Sequence, residues 1–321
     1  MSSQSTNQKS ILVTGATGKQ GGAVISALLE AGAGETHTIL AVTRNPAAAS
    51  AKALEAQGVK VFKGDLNDVP AIFASAKSAL GGSTAEIWGV YSVQTAIGQG
   101  ASAESEERQG KALIDEALAN NVKHFVYSSI DRGGDSSYDN VFPQVQHFKS
   151  KYNIEHHLVE KAKNQMTWTI LRPVAFMDNM TPGMETKIMA TSWRVAVKEK
   201  PLQLVAVKDV GYFAAQSFLR PQDFASMEIP IAGDELTLGE ANAVFKRKVG
   251  TEIPETFQFL VRFLHWLIAD FGAMYRWFYT DGFRVNIASV KRQHSGLLNF
   301  EEWLEREQVH KKVEHLKALG S

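Results

Sequence analysis

A short apolar run, Ile11-Leu12-Val13, leads directly into Thr14-Gly15-Ala16-Thr17-Gly18-Lys19-Gln20-Gly21-Gly22, and nothing else in the chain restricts its fold as strongly. The run reads as a buried strand over 11–14 and the residues 20–31 read as a helix. Three glycines spaced G-x-x-G-x-x-G therefore occupy the turn between a strand and a helix, the context in which that spacing carries meaning. Gly15 permits a tight turn. Gly18 lets a ligand approach the backbone with no Cβ in the way, and Gly21 lets the helix pack closely on the strand. The free N–H groups and the positive helix end then favour an anion, and a diphosphate fits the spacing.

The rest of the first half repeats the same alternation. Strands are expected over 37–43, 59–63, 86–91 and 124–128, and helices over 47–57, 68–78 and 103–120, the last with Leu113, Ile114 and Leu118 on its apolar side. Short, continuously apolar strands alternating with helices predict an α/β fold: a doubly wound parallel sheet of the Rossmann type, with its phosphate site at the carboxyl ends of the strands. The residues 131–143, rich in Gly, Ser, Asp and Asn, read as a loop. A helix over 144–163 and a sixth strand over 167–171 follow. Beyond Arg172-Pro173 the order loosens, with strands expected over 202–207 and 227–231 and helices over 209–219 and 237–249. The expected organisation is a disordered polar tail over 1–9, a Rossmann domain over 10–172 and a smaller C-terminal α+β lobe over 173–321, some of whose segments are free to rejoin the main sheet.

This fold at a glycine loop predicts a dinucleotide ligand, held by Gly15, Thr17, Gly18, Lys19, Gln20 and Gly21. The second strand ends at Val42-Thr43-Arg44-Asn45-Pro46. A site that prefers NAD(H) places Asp or Glu here to accept from the ribose hydroxyl. Arg44 instead suits a 2′-phosphate, which a guanidinium grips through two parallel hydrogen bonds. NADP(H) is therefore expected over NAD(H), with Lys19 as a second cation. Asp65 and Leu66 follow the third strand, where the carboxylate suits an adenine amine; capping of the next helix is the competing role. Val93 and Gln94 follow the fourth strand and are expected near the ribose and pyrophosphate.

Several classes are excluded. Lys plus Arg and Asp plus Glu both number 34, so the basic excess of a nucleic-acid binder is missing and no direct nucleic-acid contact is expected. With no cysteine there is no disulfide, thiolate or Cys-based zinc chemistry, and a redox role has to run through a bound cofactor. The histidines show no ligand spacing with carboxylates, so no metal is expected. The polar start is unlike a secretory signal, which places the protein in the cytoplasm with nuclear access open. The stretch 256–279 is rich in Phe, Leu, Trp and Tyr but contains Arg262, His265, Asp270 and Arg276. It reads as a partly buried helix, a lid or a subunit contact, and not as a membrane span.

The glycine loop, Val42-Thr43-Arg44-Asn45-Pro46 and Gly64-Asp65-Leu66 resemble the NmrA-like branch of the atypical short-chain dehydrogenase/reductase superfamily. So do Leu171-Arg172-Pro173-Val174-Ala175-Phe176 followed by Asn179, Asp209-Val210-Gly211, and Ile231-Ala232-Gly233-Asp234-Glu235-Leu236-Thr237. The resemblance runs from about residue 10 to 310. It implies that the dinucleotide lies across the strand ends, with Pro173, Phe176 and Asn179 lining the nicotinamide end. Ser128 and Ser129 close the fifth strand, where the superfamily often uses a Ser or Thr. Catalytic members carry Tyr-x-x-x-Lys in the next helix; here the spacing reads His147-Phe148-Lys149-Ser150-Lys151. Lys151 matches the family Lys, and His147 replaces the Tyr. Three roles stay open: Lys151 grips the ribose and His147 is structural, Lys151 is itself the acid–base group, or His147 moves the proton. Tyr138 is a fourth candidate acid, with the wrong spacing to Lys151. The family includes a fungal regulator of nitrogen metabolism, NADP(H) sensors and isoflavone-reductase-type enzymes. The resemblance thus implies either a cofactor-sensing regulator of transcription with a protein partner, or an NADPH-dependent reductase of a carbonyl, enone or aromatic substrate. Met177, Met180, Met184 and Met189 suit a small apolar substrate or a partner surface, with core filling as the plain alternative.

Overall fold

The computed structural model describes residues 8–96, 100–181, 183–309 and 311–313. In chain order it begins with β1 (Lys9–Val13), α1 (Lys19–Glu30), β2 (His37–Thr43), α2 (Ala49–Ala56), β3 (Lys60–Lys63) and α3 (Val69–Leu80). It continues with β4 (Gly89–Ser92), α4 (Ala103–Ala119), β5 (His124–Ser128), α5 (Gln146–Ala162) and β6 (Thr167–Pro173). Next come β7 (Ala175–Phe176), α6 (Met184–Ser192), β8 (Leu202–Val205), α7 (Val207–Leu219), α8 (Pro221–Phe224), β9 (Met227–Ile231) and β10 (Asp234–Leu236). The described chain closes with α9 (Leu238–Val249), α10 (Gln258–Leu267), α11 (Ala269–Thr280), α12 (Ile287–Gln293) and α13 (Phe300–Arg306).

Among the described residues the main sheet has seven strands in the order β3-β2-β1-β4-β5-β6-β9. The pairs from β3 through β6 are all parallel. This is the doubly wound α/β architecture that the strand–helix alternation predicts, with the order reversing between β1 and β4. Strands buried on both faces explain the unbroken apolar runs: Ile11, Leu12 and Val13 have no exposed surface, nor do Phe125, Val126 and Tyr127. One face packs Leu12, Leu40, Val90, Phe125 and Ile170 against Ile72 and Phe73 of α3, Leu113 and Ile114 of α4, and Ile154 and Leu158 of α5.

The chain divides into two compact units, each assembled from separate stretches. The first comprises residues 1–129, 150–171 and 210–229; the second comprises 130–149, 172–209 and 230–321. Within the second, β7, β8 and β10 form a small sheet in which β7 runs parallel and β10 antiparallel to β8. Of the expected polar tail, residues 1–7 lie outside the described residues, and Lys9 already pairs with His37 as the first residue of β1.

One local reading needs correcting. The aromatic stretch 256–279 is not one helix but the pair α10 and α11, broken at Ile268 with φ −106° and ψ 85°. A Cβ on Gly272 would stand 2.4 Å from the His265 carbonyl oxygen, so the two helices close on one another at backbone contact. The loop expected over 131–143 is present and packed inward, for Asp131 and Arg132 are both fully buried. Asp131 accepts from the Gly133, Gly134 and Arg284 amides and the Ser137 hydroxyl, and Arg132 donates to the carbonyls of Ser137 and Asn140. Small and polar residues suit these buried turns, in which short side chains bond to neighbouring backbone.

At the amino ends of the strands His124 is buried against Trp88 and Phe218. Burial foremost, and then the charge of Lys9, lower its pKa to about 4; the same causes lower that of His37. A depressed folded-state pKa means that the unfolded chain takes up the proton first. Stability is therefore full above pH 6.5 and is lost as the pH falls toward 4. For His124 alone the loss expected by pH 5 is about 2 kcal/mol. Urea unfolding at pH 7.5 and pH 5 measures it, and His124→Gln should flatten the difference; an equal difference in that variant would refute the assignment.

Candidate functional site

The glycine loop is shaped by contacts that leave no room for side chains. Thr14 closes β1: its hydroxyl lies 3.1 Å from the Tyr91 carbonyl oxygen and accepts from the Val93 amide at 2.9 Å. This draws the exits of β1 and β4 together, and Gly15 turns there with φ +60°, where a Cβ would meet Val93 Cγ1 at 2.8 Å. The Gly18 amide donates back to the Gly15 carbonyl at 2.9 Å, and Gly18 then starts α1 with no side chain capping it. At Gly21 a Cβ would lie 2.3 Å from the Gly15 oxygen. The result is a side-chain-free cradle at a helix start, open to an anion. Thr17 and Lys19 stand exposed on it.

Other expected binding residues sit at the neighbouring strand exits of the first unit. Arg44 is exposed just past β2 and makes no hydrogen bond or ion pair among the described residues. Asp65 is exposed and its carboxylate accepts from the amide and side chain of Asn67, both at 2.9 Å. The capping role falls to Asp68, which accepts from the Ala71 amide at 3.2 Å. Leu66 and Val93 are half-buried. Gln94 is buried: its Nε2 donates to Ser92 Oγ at 2.9 Å, while its Oε1 finds no partner among the described residues. A buried oxygen of this kind fits a ligand donor, since leaving it unpaired costs about 1–3 kcal/mol.

A second cluster joins three of the expected residues. The Ser128 hydroxyl donates to Gln20 Oε1 at 2.6 Å, so the first turn of α1 is tied to the end of β5. Lys151 Nζ lies 3.4 Å from the Ser128 carbonyl oxygen and 3.0 Å from Glu106 Oε1. The Ser150 hydroxyl donates to the other oxygen of Glu106. Glu106 was missed in the sequence, although a signal exists: it falls on the same buried stripe of α4 as Gly110, Leu113, Ile114 and Ala117. A carboxylate on an apolar stripe needs a partner. Removing it by Glu106→Ala is expected to cost about 2 kcal/mol, less than a fully buried pair because the Lys151 side chain keeps 13% exposure. Chemical denaturation measures it, with Glu106→Gln less affected; equal stability of wild type and the Ala variant would contradict the assignment.

The remaining predicted residues belong to the second unit. His147 is buried, and its Nδ1 lies 2.5 Å from Asp270 Oδ2. Asp270 also accepts from the amides of Gln146 and His147, so an aspartate of α11 caps the start of α5. Burial alone would raise the Asp270 pKa, but the hydrogen bond and charge of His147 and the two amides hold it below the usual carboxylate range. Thus His147 and Lys151, four residues apart in α5, are held by different carboxylates. Pro173 is buried, and its carbonyl accepts from the Asp131 amide at 3.0 Å. Phe176 and Asn179 are half-buried, the latter in a 3-10 turn over Met177–Met180. Tyr138 faces the Arg172 guanidinium, 6.0 Å from its ring centre. Among the described residues no group of three His, Asp or Glu is placed to hold a metal ion.

Comparison with known proteins places this geometry among relatives. A family model described as the NmrA-like family matches residues 7–304. An NmrA-like family domain-containing oxidoreductase, notA', of Aspergillus versicolor is 28% identical over 274 residues, covering 80% of this chain and 72% of that protein. The fold is shared with the Citrobacter triphenylmethane reductase complexed with NADP(H), at 18% identity and TM-score 0.70, over 92% of this chain and 99% of that one. It is also shared with NmrA, described as a negative transcriptional regulator, at 18% identity and TM-score 0.68, over 98% of both chains.

Proposed function

The chain belongs to the NmrA-like family, and from that premise we propose that it binds NADP(H) and acts as a cofactor-sensing regulator. The observation that carries the binding is the open glycine cradle with Arg44, at the end of the adjacent strand, bonded to nothing among the described residues. The backbone of the glycine loop would hold a diphosphate, Arg44 would hold the 2′-phosphate, and Gln94 Oε1, without a partner among the described residues, would accept from the ribose or amide side. NADP(H)-bound triphenylmethane reductase has the same fold, in keeping with this ligand. The sensing role is supported by His147 in place of a tyrosine and by the ion pair that anchors Lys151 to Glu106. Sensing requires that the cofactor bind two states of the protein unequally, which a protein partner then reads.

A reductase is the second reading, favoured by the hydrogen bond between His147 and Asp270 and by the name of the Aspergillus relative. A bound NADPH would supply the hydride. Asp270 fixes the orientation of the His147 ring, and either that ring or Lys151 would hold the proton. The deciding experiment is calorimetry with NADPH and NADH, followed by NADPH absorbance in the presence of quinones, enones and aromatic ketones. Tight NADPH binding with constant absorbance is the result expected of a sensor. Substrate-dependent loss of absorbance that vanishes in Lys151→Ala establishes the reductase. Failure to bind either dinucleotide at millimolar concentration removes both readings.

A further inference from the structure

Helix α10 carries its apolar side outward. At about 100° per residue, Phe259, Leu260, Phe263, Trp266 and Leu267 fall within one arc of roughly 120°. All five are exposed, Trp266 at 75% and Phe259 at 66%, and exposed Phe257 and Ile268 extend the strip at either end. The inward side is narrow: Val261 is buried, and Leu264 and His265 are half-buried. Five large apolar side chains exposed to this degree present an area on the order of 500 Å², in the upper part of the range of the largest patch on a monomer, which is often a functional surface.

The charges around the strip identify what would cover it. No acidic residue occurs from Thr256 to Ala269. The carboxylates that bound the segment are already engaged, Glu255 by Arg194 at 2.5 Å and Asp270 by His147. What stays exposed beside the apolar arc is Arg262 on α10 and, on α11, Arg276. Burial first, and then the charges of Arg276 and Arg262, hold the His265 pKa below its usual range. A second copy docked through α10 would set Arg262 against Arg262, with no carboxylate on that helix to answer it. An aromatic and aliphatic strip flanked by arginines is instead the composition of a helix that lies in a lipid interface.

We propose that α10 seats this protein on an anionic membrane surface. The helix lies in the plane of the interface with Phe259, Phe263 and Trp266 in the boundary between headgroups and acyl chains, and Arg262 at the phosphates. No described helix is long and apolar enough to cross a membrane, so the contact is peripheral. The test uses the full chain with vesicles of phosphatidylcholine, with and without phosphatidylserine. Co-flotation with the anionic vesicles is expected, at least tenfold stronger than with the neutral ones. Trp266 is the only one of the six tryptophans that is exposed, so insertion should shift its emission to the blue. The double substitution Phe263→Gln with Trp266→Gln should abolish flotation and leave the melting temperature unchanged, because both side chains are exposed. Arg262→Gln should remove much of the preference for the anionic lipid. Wild type that stays out of the vesicle fraction overturns the proposal. So does flotation that survives the double substitution. A dimer in lipid-free buffer that the same substitution dissociates would assign the face to a second copy instead.

Discussion

Gly21→Ala is expected to weaken NADPH binding by at least a hundredfold and to lower the melting temperature. The added Cβ would lie 2.3 Å from the Gly15 oxygen, 2.5 Å from the Gly15 carbonyl carbon and 2.7 Å from the Thr14 oxygen. All three are backbone atoms, so no side chain can rotate away and α1 has to move off β1. Overpacking of this kind costs about 1–3 kcal/mol in stability. The larger effect falls on the cradle, whose amides would no longer converge on one diphosphate. Gly22→Ala is the matched control. There the Cβ would meet the Ala16 oxygen at an ordinary 3.6 Å, and alanine within a helix is favoured over glycine by roughly 1 kcal/mol. Calorimetric titration with NADPH and a thermal melt of both variants measure the contrast. Gly21→Ala binding within a few-fold of wild type would refute the cradle.

Arg44→Glu is expected to shift the ratio of NADPH to NADH affinity by about two to four orders of magnitude toward NADH. Two charge-assisted hydrogen bonds to a 2′-phosphate are lost, each worth about 1.5–3 kcal/mol. The new carboxylate repels that phosphate and accepts from a ribose hydroxyl. Arg44 is exposed and bonded to nothing described, so the fold should be untouched and the melt unchanged. Parallel titrations with the two dinucleotides give the ratio. An unchanged preference would show that Arg44 is only a solvated surface residue and would move the selectivity elsewhere, to Lys19 first.

The first half of the chain was legible because its signals are local. The strands expected over 37–43 and 124–128 coincide with β2 and β5, and the late one over 227–231 coincides with β9. Each is an apolar run bounded by polar or turn-forming residues, and periodicity needs nothing more. The break between α10 and α11 was illegible because Ile268-Ala269 carries neither proline nor a glycine; the close approach of Gly272 to the His265 backbone makes the corner, and that is a tertiary contact. The site divided in the same way. The glycine spacing and Arg44 could be read from a strand-turn-helix context alone. Glu106 and Asp270 could not be assigned to Lys151 and His147, because 45 residues separate Glu106 from Lys151 and 123 separate His147 from Asp270. Only the fold brings those carboxylates to their partners.

The interleaving of the two units bears on how the protein is made and cut. The unit that holds the cradle lacks its last stretch until residue 229 has been added, with two whole stretches of the other unit, 130–149 and 172–209, synthesised in between. Nascent chains shorter than this should expose an incomplete sheet edge and depend on chaperones. For the same reason a single cut that keeps all of the first unit has to fall after residue 229, and the fragment carries two stretches of the second unit with it.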